Sequence, residues 1–163
     1  MLISSYAHVE FLLGDLCLKS WQLAQYRSLA NRLPYKANTR ERAVSAILSV
    51  ENGPLFEFRR SAEPLLKRWR ESESDRNMMA HGLMTLEWMK NGEIFVRGTL
   101  LKAGSNVHVD VERIRWSLGT LQSKASQASS YSQAWMKLCH AMHSKMGWIS
   151  PRGIPVRLAK SDP

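Results

Sequence analysis

Two long segments of this chain repeat apolar residues at alternating steps of four and three, and this spacing constrains the fold more than any other feature. The first repeat starts at Leu2 and the second at Ile114. Such steps place the apolar side chains along one seam of an α-helix. We therefore expect a first helix over about residues 2–31 and a long last helix over about residues 110–146.

Shorter helices are predicted between these two, from residues that favour helix ends. Three kinds of residue mark these ends: a proline at the first helical position, a hydroxyl side chain at the N-cap and a glycine after the last turn. They are Thr39 for a second helix, Pro54 for a third, Ser72 and Ser74 for a short helix containing Arg76–His81, and Gly82 as its left-handed terminator.

The period changes over residues 84–109, where alternating segments are separated by the turn sequences Asn91-Gly92 and Ala103-Gly104-Ser105-Asn106. Asn-Gly is a strong hairpin signal, so two or three short strands are expected. The predicted fold class is all-α, an up-down helical bundle with a small β-hairpin or ribbon inserted at about 84–109. Residues 1–146 are predicted to form a single domain, and 147–163 a basic irregular tail.

The composition limits the classes of partner and cofactor that can be expected for this chain. The 163 residues carry a formal net charge of +9, which favours a polyanion such as nucleic acid. Cys17 and Cys139 are isolated, so neither a disulfide framework nor a sulfur-based zinc cluster is available. We find no signal peptide and no apolar run long enough to span a bilayer, and we expect a cytoplasmic protein without a cofactor, a metal or a membrane partner.

The segment Arg76-Asn77-Met78-Met79-Ala80-His81-Gly82 is the one candidate reactive centre. An arginine at this distance before a histidine is weak evidence, since about one match is expected by chance in such a chain. The polar Asn77 after the arginine, the small residues around His81 and the arginine-rich stretch upstream strengthen it.

These residues resemble the RNxxAHG form of the R-x(4–6)-H motif of the HEPN superfamily, with no subfamily assigned. The order of a long first helix, a basic third helix, the motif and a long last helix is similar to that family in outline. The resemblance implies an all-α domain, a homodimer in which two motifs face a basic cleft, and metal-independent RNA cleavage. It makes Arg76 and His81 the catalytic pair and Asn77 the supporting polar residue.

The same roles suit the chemistry of RNA cleavage. The 2′-OH of RNA is the nucleophile, so the protein must move protons, as His81 can, and hold charge on the phosphorane, as the planar guanidinium of Arg76 can. On an ideal helix, residues five apart lie about 140° around the axis and about 7.5 Å along it. We therefore expect a site composed from two chains, and a bound phosphate to offset the helix dipole at Arg76.

A basic group on the third helix is the candidate RNA-binding surface, against the alternative of an ordinary solvated helix face. Its members are Arg59, Arg60, Lys67, Arg68 and Arg70. The sequence favours an endoribonuclease in the style of a toxin or phage-defence effector. One alternative is an inactive module of the same fold that binds RNA or a protein partner, such as an antitoxin or nucleotidyltransferase. A helical DNA-binding regulator is another, and it rests on net charge alone.

Overall fold

The computed structural model describes residues 2–30, 32–34, 36–103 and 109–149. Within them the chain forms five α-helices, two short 3₁₀ helices and three strands. The α-helices are α1 (Leu2–Ser20), α2 (Ala37–Leu48), α3 (Arg59–Glu71), α4 (Glu73–His81) and α5 (Leu118–Lys145), and the strands are β1 (Leu83–Trp88), β2 (Ile94–Ala103) and β3 (Val109–Ser117).

The fold class is mixed α/β, so the prediction of an all-α bundle is wrong. The three strands form one antiparallel sheet in the order β1-β2-β3, and β3 ends at Ser117, where the sequence predicted a helix from residue 110. The apolar residues of β3 do not alternate along the whole strand, because they lie on one face in its first half and on the other face in its second half. Val109 and Val111 lie on one face of the sheet, whereas Ile114 and Trp116 lie on the other.

The Asn91-Gly92 hairpin is confirmed. Gly92 has φ +84°, the left-handed conformation that glycine adopts without steric cost, and the Glu93 amide donates to the Asn91 Oδ1 at 3.1 Å. The second predicted turn falls largely on residues 104–106, which lie outside the described residues. The predicted tail does so as well from residue 150 onward.

The helix boundaries differ from prediction at several ends. The first helix ends at Ser20, and a 3₁₀ helix follows at Ala24–Leu29 in place of the expected continuation to residue 31. Lys36 occupies the N-cap of α2 in place of Thr39. A 3₁₀ helix at Phe56–Phe58 precedes α3, which begins at Arg59 and passes through Pro64 without dividing.

The start and end of α5 have clear local causes. The Ser117 Oγ accepts a hydrogen bond from the Thr120 amide at 3.1 Å, so this serine caps the helix, seven residues after the predicted start at about residue 110. Gly147, at φ +65°, ends it: the Trp148 amide donates to the His143 carbonyl and the Gly147 amide to the Ser144 carbonyl. This pair of bonds is the Schellman arrangement.

The described residues fall into two compact units. The sheet unit comprises the described residues of Met1–Ala7 and Arg68–Ser132, and the helical unit those of His8–Lys67 and Gln133–Pro163. The predicted single domain over 1–146 stays a prediction. No helix among the described residues has both the length and the apolar character needed to cross a membrane.

The core of the helical unit is built on apolar side chains of α1, α2 and α5. The fully buried ones include Leu13, Ile47 and Trp135. The buried Tyr26 hydroxyl accepts a hydrogen bond from the Leu55 amide at 2.9 Å, which satisfies a backbone donor in the interior. A guanidinium of α2, on Arg40, binds the Pro34 carbonyl at 2.7 Å.

The core of the sheet unit lies between α4 and one face of the sheet, which we call the inner face. Val96, Leu100 and Trp116 are the buried side chains of this face, and Met78 of α4 is fully buried. Gly98 allows the helix to come close, because a Cβ at this position would meet the Met78 Sδ at 2.8 Å and the Ile114 Cγ1 at 2.7 Å. The residue type at 98 therefore sets how closely α4 approaches β2.

Replacing Gly98 by alanine should overpack this contact. We expect Gly98→Ala to lower the free energy of unfolding by about 1–3 kcal/mol, the usual cost of an extra methyl group in a filled core. Gly119→Ala is the matched control: its Cβ meets only the Ser117 Oγ at 3.8 Å, and alanine favours the helix. Urea unfolding measures both. A Gly98→Ala variant as stable as its parent would contradict the described contact.

Candidate functional site

The candidate site is α4, which carries the RNxxAHG segment between a helix and a strand. Only Ser72 separates it from α3, and Gly82 alone separates it from β1. Glu73 and Asp75 lie in its first turn, where carboxylates are favoured by the positive end of the helix dipole. The segment is therefore held at both ends by regular structure.

The Arg76 guanidinium is directed at Trp69 on the preceding helix. Its Cζ lies 3.6 Å from the centre of the indole ring, and its Nη2 donates a hydrogen bond to the Trp69 carbonyl at 3.1 Å. The ring itself is 1% exposed, and Arg76 is half-buried. Stacking of a planar guanidinium on an indole is a favourable cation–π contact.

This contact also explains why an arginine is tolerated near the start of α4. Trp69 lies in the last turn of α3, where backbone carbonyls have no partner within the helix. The Trp69 carbonyl accepts from both Arg76 Nη2 and Ser72 Oγ, the latter at 3.0 Å. The cation thus lies at the negative end of the α3 dipole. This contact accounts for the arginine without a bound phosphate, and the expected phosphate stays a prediction.

A polar network lies beside this contact. The Lys124 Nζ is 2.5 Å from the Asp75 Oδ2 and 4.9 Å from the centre of the Trp116 ring. Tyr6 meets Trp69 edge to face, with ring centres 6.4 Å apart. Burial raises the pKa of the Tyr6 phenol and the nearby Asp75 carboxylate raises it further, so this hydroxyl stays protonated near neutral pH.

Asn77 and His81 complete the predicted site. Asn77 is half-buried, and His81, the last residue of α4, is exposed. Five residues of helix place His81 about 140° around the axis from Arg76 and about 7.5 Å along it. Within one chain, the arginine is held against Trp69 while the imidazole faces solvent.

The glycine after His81 does not adopt the predicted left-handed conformation. Gly82 has φ −78° and ψ 147°, which is extended backbone, and its amide donates to the Met78 carbonyl. Glycine fits here for a different reason: a Cβ would lie 2.4 Å from the Met78 carbonyl oxygen and 2.7 Å from its Sδ. The close passage from α4 into β1 therefore requires a residue without a side chain.

The predicted basic group lies on α3, and its members differ in environment. Arg68 is half-buried, donates to the Gln127 carbonyl at 3.0 Å and lies over the Tyr131 ring at 5.2 Å. Arg59 lies 6.0 Å from the ring centre of Phe56. The four exposed members are Arg59, Arg60, Lys67 and Arg70. Arg68 is thus a packing residue, about 180° around the helix from Arg59.

A second group of titratable side chains lies around His143 in the helical unit. Its cysteine is not in the ionised form that a nucleophile requires. The His143 Nε2 lies 3.2 Å from the Asp15 Oδ2, and Cys139 is one helical turn before His143. Burial raises the pKa of the Cys139 thiol to about 12, and the same holds for Cys17. A thiol with such a pKa is not ionised near neutral pH. Within the described ranges, no set of three His, Cys, Asp or Glu side chains could hold a metal ion.

Sequence reasoning missed two features of the sheet unit. It did not predict the contact of Trp69 with Arg76, because that contact depends on the turn at Ser72. It also placed Arg113 and Arg115 on a helix, whereas both lie on the exposed face of β3. The spacing Arg-Ile-Arg was the available signal, since residues two apart share a face of a strand.

The two ends of the motif should differ in their effect on stability. We expect Arg76→Ala to lower the free energy of unfolding by about 1–3 kcal/mol, through loss of the stacked cation and of one of the two hydrogen bonds to the Trp69 carbonyl. Arg76→Lys should recover only part of this, because an ammonium cannot stack as a plane. His81→Ala should stay within about 0.5 kcal/mol of the parent, as exposed substitutions usually do. Equal stability of the parent and both Arg76 variants in thermal and urea unfolding would contradict the contact.

Comparison of the chain with protein-family models, with curated proteins and with solved structures finds no match.

Proposed function

We propose that this chain is a metal-independent endoribonuclease in which His81 transfers a proton and Arg76 binds the scissile phosphate. The observation that carries the proposal is the solvent-exposed imidazole at the end of α4, in the RNxxAHG segment that the sequence singled out. A proton-transfer group must be reachable by a polynucleotide, and His81 meets this requirement.

The chemistry is transesterification within the RNA strand. The 2′-oxygen forms a bond to phosphorus as it loses its proton, and the bond from phosphorus to the 5′-oxygen breaks as that oxygen gains a proton. The products carry a 2′,3′-cyclic phosphate and a 5′-OH. His81 acts as the acid or the base in one of these transfers, and Asn77 orients a partner by hydrogen bonding.

Arg76 supplies positive charge to the phosphorane. Its guanidinium is already oriented by the ring and carbonyl of Trp69, so little side-chain entropy is lost when it binds phosphoryl oxygens. Because His81 lies on another side of α4, we propose that the complete site uses α4 from two chains of a homodimer, with Arg76 of one near His81 of the other.

A second candidate function is favoured by the same arginine contact. If the role of Arg76 is to close the junction between α3 and α4, the motif serves structure and the chain is a non-catalytic module. Such a module would bind RNA or a protein partner, with an antitoxin or a nucleotidyltransferase as the candidate proteins. It predicts RNA binding that weakens with salt, without cleavage under any condition.

The deciding experiment uses single-stranded RNA in excess EDTA, with the parent protein, His81→Ala and His140→Ala. His140 is an exposed histidine on α5 and is the matched control for loss of an imidazole. We expect the parent and His140→Ala to cleave, and His81→Ala to be slower by about 100-fold or more, the usual contribution of a general acid or base.

The cut ends give an independent readout. A 2′,3′-cyclic phosphate on one fragment and a 5′-OH on the other, identified by mass spectrometry, support attack by the 2′-OH. Cleavage that EDTA abolishes, or a His81→Ala variant that cuts like its parent, would remove the endoribonuclease proposal. RNA binding without cleavage by the parent would support the second candidate.

A further inference from the structure

The face of the sheet opposite α4, which we call the outer face, is exposed across its centre. Arg97 lies on the central strand β2, yet its side chain is 55% exposed, and Leu101 on the same strand is 67% exposed. A central strand is normally covered on at least one face and open on the other only where that face is polar. Leu83, Val109 and Val111 share this face and are exposed as well, so it offers both apolar and charged surface to a partner.

Three arginines occupy this face. Arg97 lies directly opposite Arg115 on β3, and Thr99 lies opposite Arg113. Directly opposed like charges destabilise a sheet. The carboxylate of Glu87 relieves this in part, since it binds Arg97 at 3.0 Å and Arg115 at 2.8 Å. Three arginines against one glutamate leave a positive surplus on the outer face.

The same face carries an arginine stacked on an aromatic ring. The Arg115 Cζ lies 3.9 Å from the centre of the half-buried Phe95 ring, and its Nε is held by Glu87. The Arg115 guanidinium is therefore held between the Phe95 ring and the Glu87 carboxylate. Unpaired RNA bases stack on aromatic rings and on arginine planes, while their phosphates bind arginine.

We infer that the outer face is a docking surface for single-stranded RNA, on which Arg97 and Arg113 bind phosphates and Arg115 stacks against a base. This assignment rests on the proposed function and adds to it where the substrate lies. β1 begins two residues after His81, so the Cα atoms of His81 and Leu83 are no more than about 7 Å apart. The start of β1 is therefore the end of the outer face that lies nearest to His81 along the chain.

Charge favours RNA over a second copy of this chain as the partner of the outer face. Two outer faces packed together would bring six arginines against two glutamates, which is a repulsive arrangement. A polyanion supplies the missing negative charge and relieves the repulsion between Arg97 and Arg115. The net charge of +9 agrees with a partner of this kind.

The test measures binding of a 5′-labelled, fully 2′-O-methylated single-stranded RNA by fluorescence anisotropy over a series of salt concentrations. This RNA has no free 2′-OH, so binding is read without cleavage. The full chain is used as the parent, as Arg97→Ala/Arg113→Ala, and as Arg97→Lys/Arg113→Lys. Arg27→Ala/Arg42→Ala is the matched control, with the same change of charge at two exposed arginines elsewhere.

We expect the alanine pair on the sheet to make the negative slope of log affinity against log salt less steep by about 1.4, at about 0.7 for each phosphate contact on a single strand. At about 0.1 M salt this corresponds to roughly 25-fold weaker binding. The lysine pair should keep the slope, because lysine also binds phosphate as a point charge. The control pair should weaken binding less than about threefold, since distant charges are screened at this salt.

The inference is wrong if the sheet variant binds like the control variant while its circular dichroism and thermal unfolding match the parent. It is equally wrong if the sheet variant binds like the parent but sediments as a smaller species, because the outer face is then a contact between copies. Cleavage of unmodified RNA by the parent is measured in parallel. Absence of cleavage together with the expected salt slopes contradicts the proposed function and leaves the docking surface supported.

Discussion

The stack of Arg76 on Trp69 fixes how α4 leaves α3, and the rest of the sheet unit follows from that junction. With only Ser72 between the helices, one guanidinium covers the indole face and binds the carbonyl at the end of α3. The direction of α4 determines where Met78 enters the core against Gly98. It also determines where His81 lies when the chain turns into β1.

The sheet has two faces with different chemistry, and the packing of α4 is the reason. The inner face buries Val96, Leu100 and Trp116, whereas the outer face keeps three arginines in solvent. The helix α4 covers the buried apolar residues on one side of the sheet, and the other side carries these arginines together with the exposed Leu83, Leu101, Val109 and Val111. The candidate site on α4 and the proposed RNA surface therefore belong to one compact unit, joined at the short passage from His81 to Leu83.

The sequence predicted the fold well where a single period is sustained. The apolar seams of α1 and α5 and the Asn91-Gly92 hairpin have strong local signals, and they are present. β3 was missed because its apolar positions change face between Glu112 and Arg113, so the helical template matched Ile114 and the residues after it. The all-α prediction failed at that strand.

The candidate site was predictable in its residues but not in its contacts. The spacing of Arg76, Asn77 and His81 places them on one short helix, as found. That Arg76 stacks on a residue seven positions earlier could not be read from the sequence, because the contact requires α3 to end at Glu71 and the chain to turn at once. The residue pattern within one helix gives no information on the angle between that helix and the next.

The most direct measurement of the central claim is an NMR titration of the histidine-labelled chain with a fully 2′-O-methylated single-stranded RNA. The account predicts that the imidazole resonances of His81 shift in a saturable manner, and that those of the exposed His140 on α5 do not. An RNA that saturates the protein while the His81 resonances stay in place would contradict the assignment of α4 as the centre at which RNA is bound and cut.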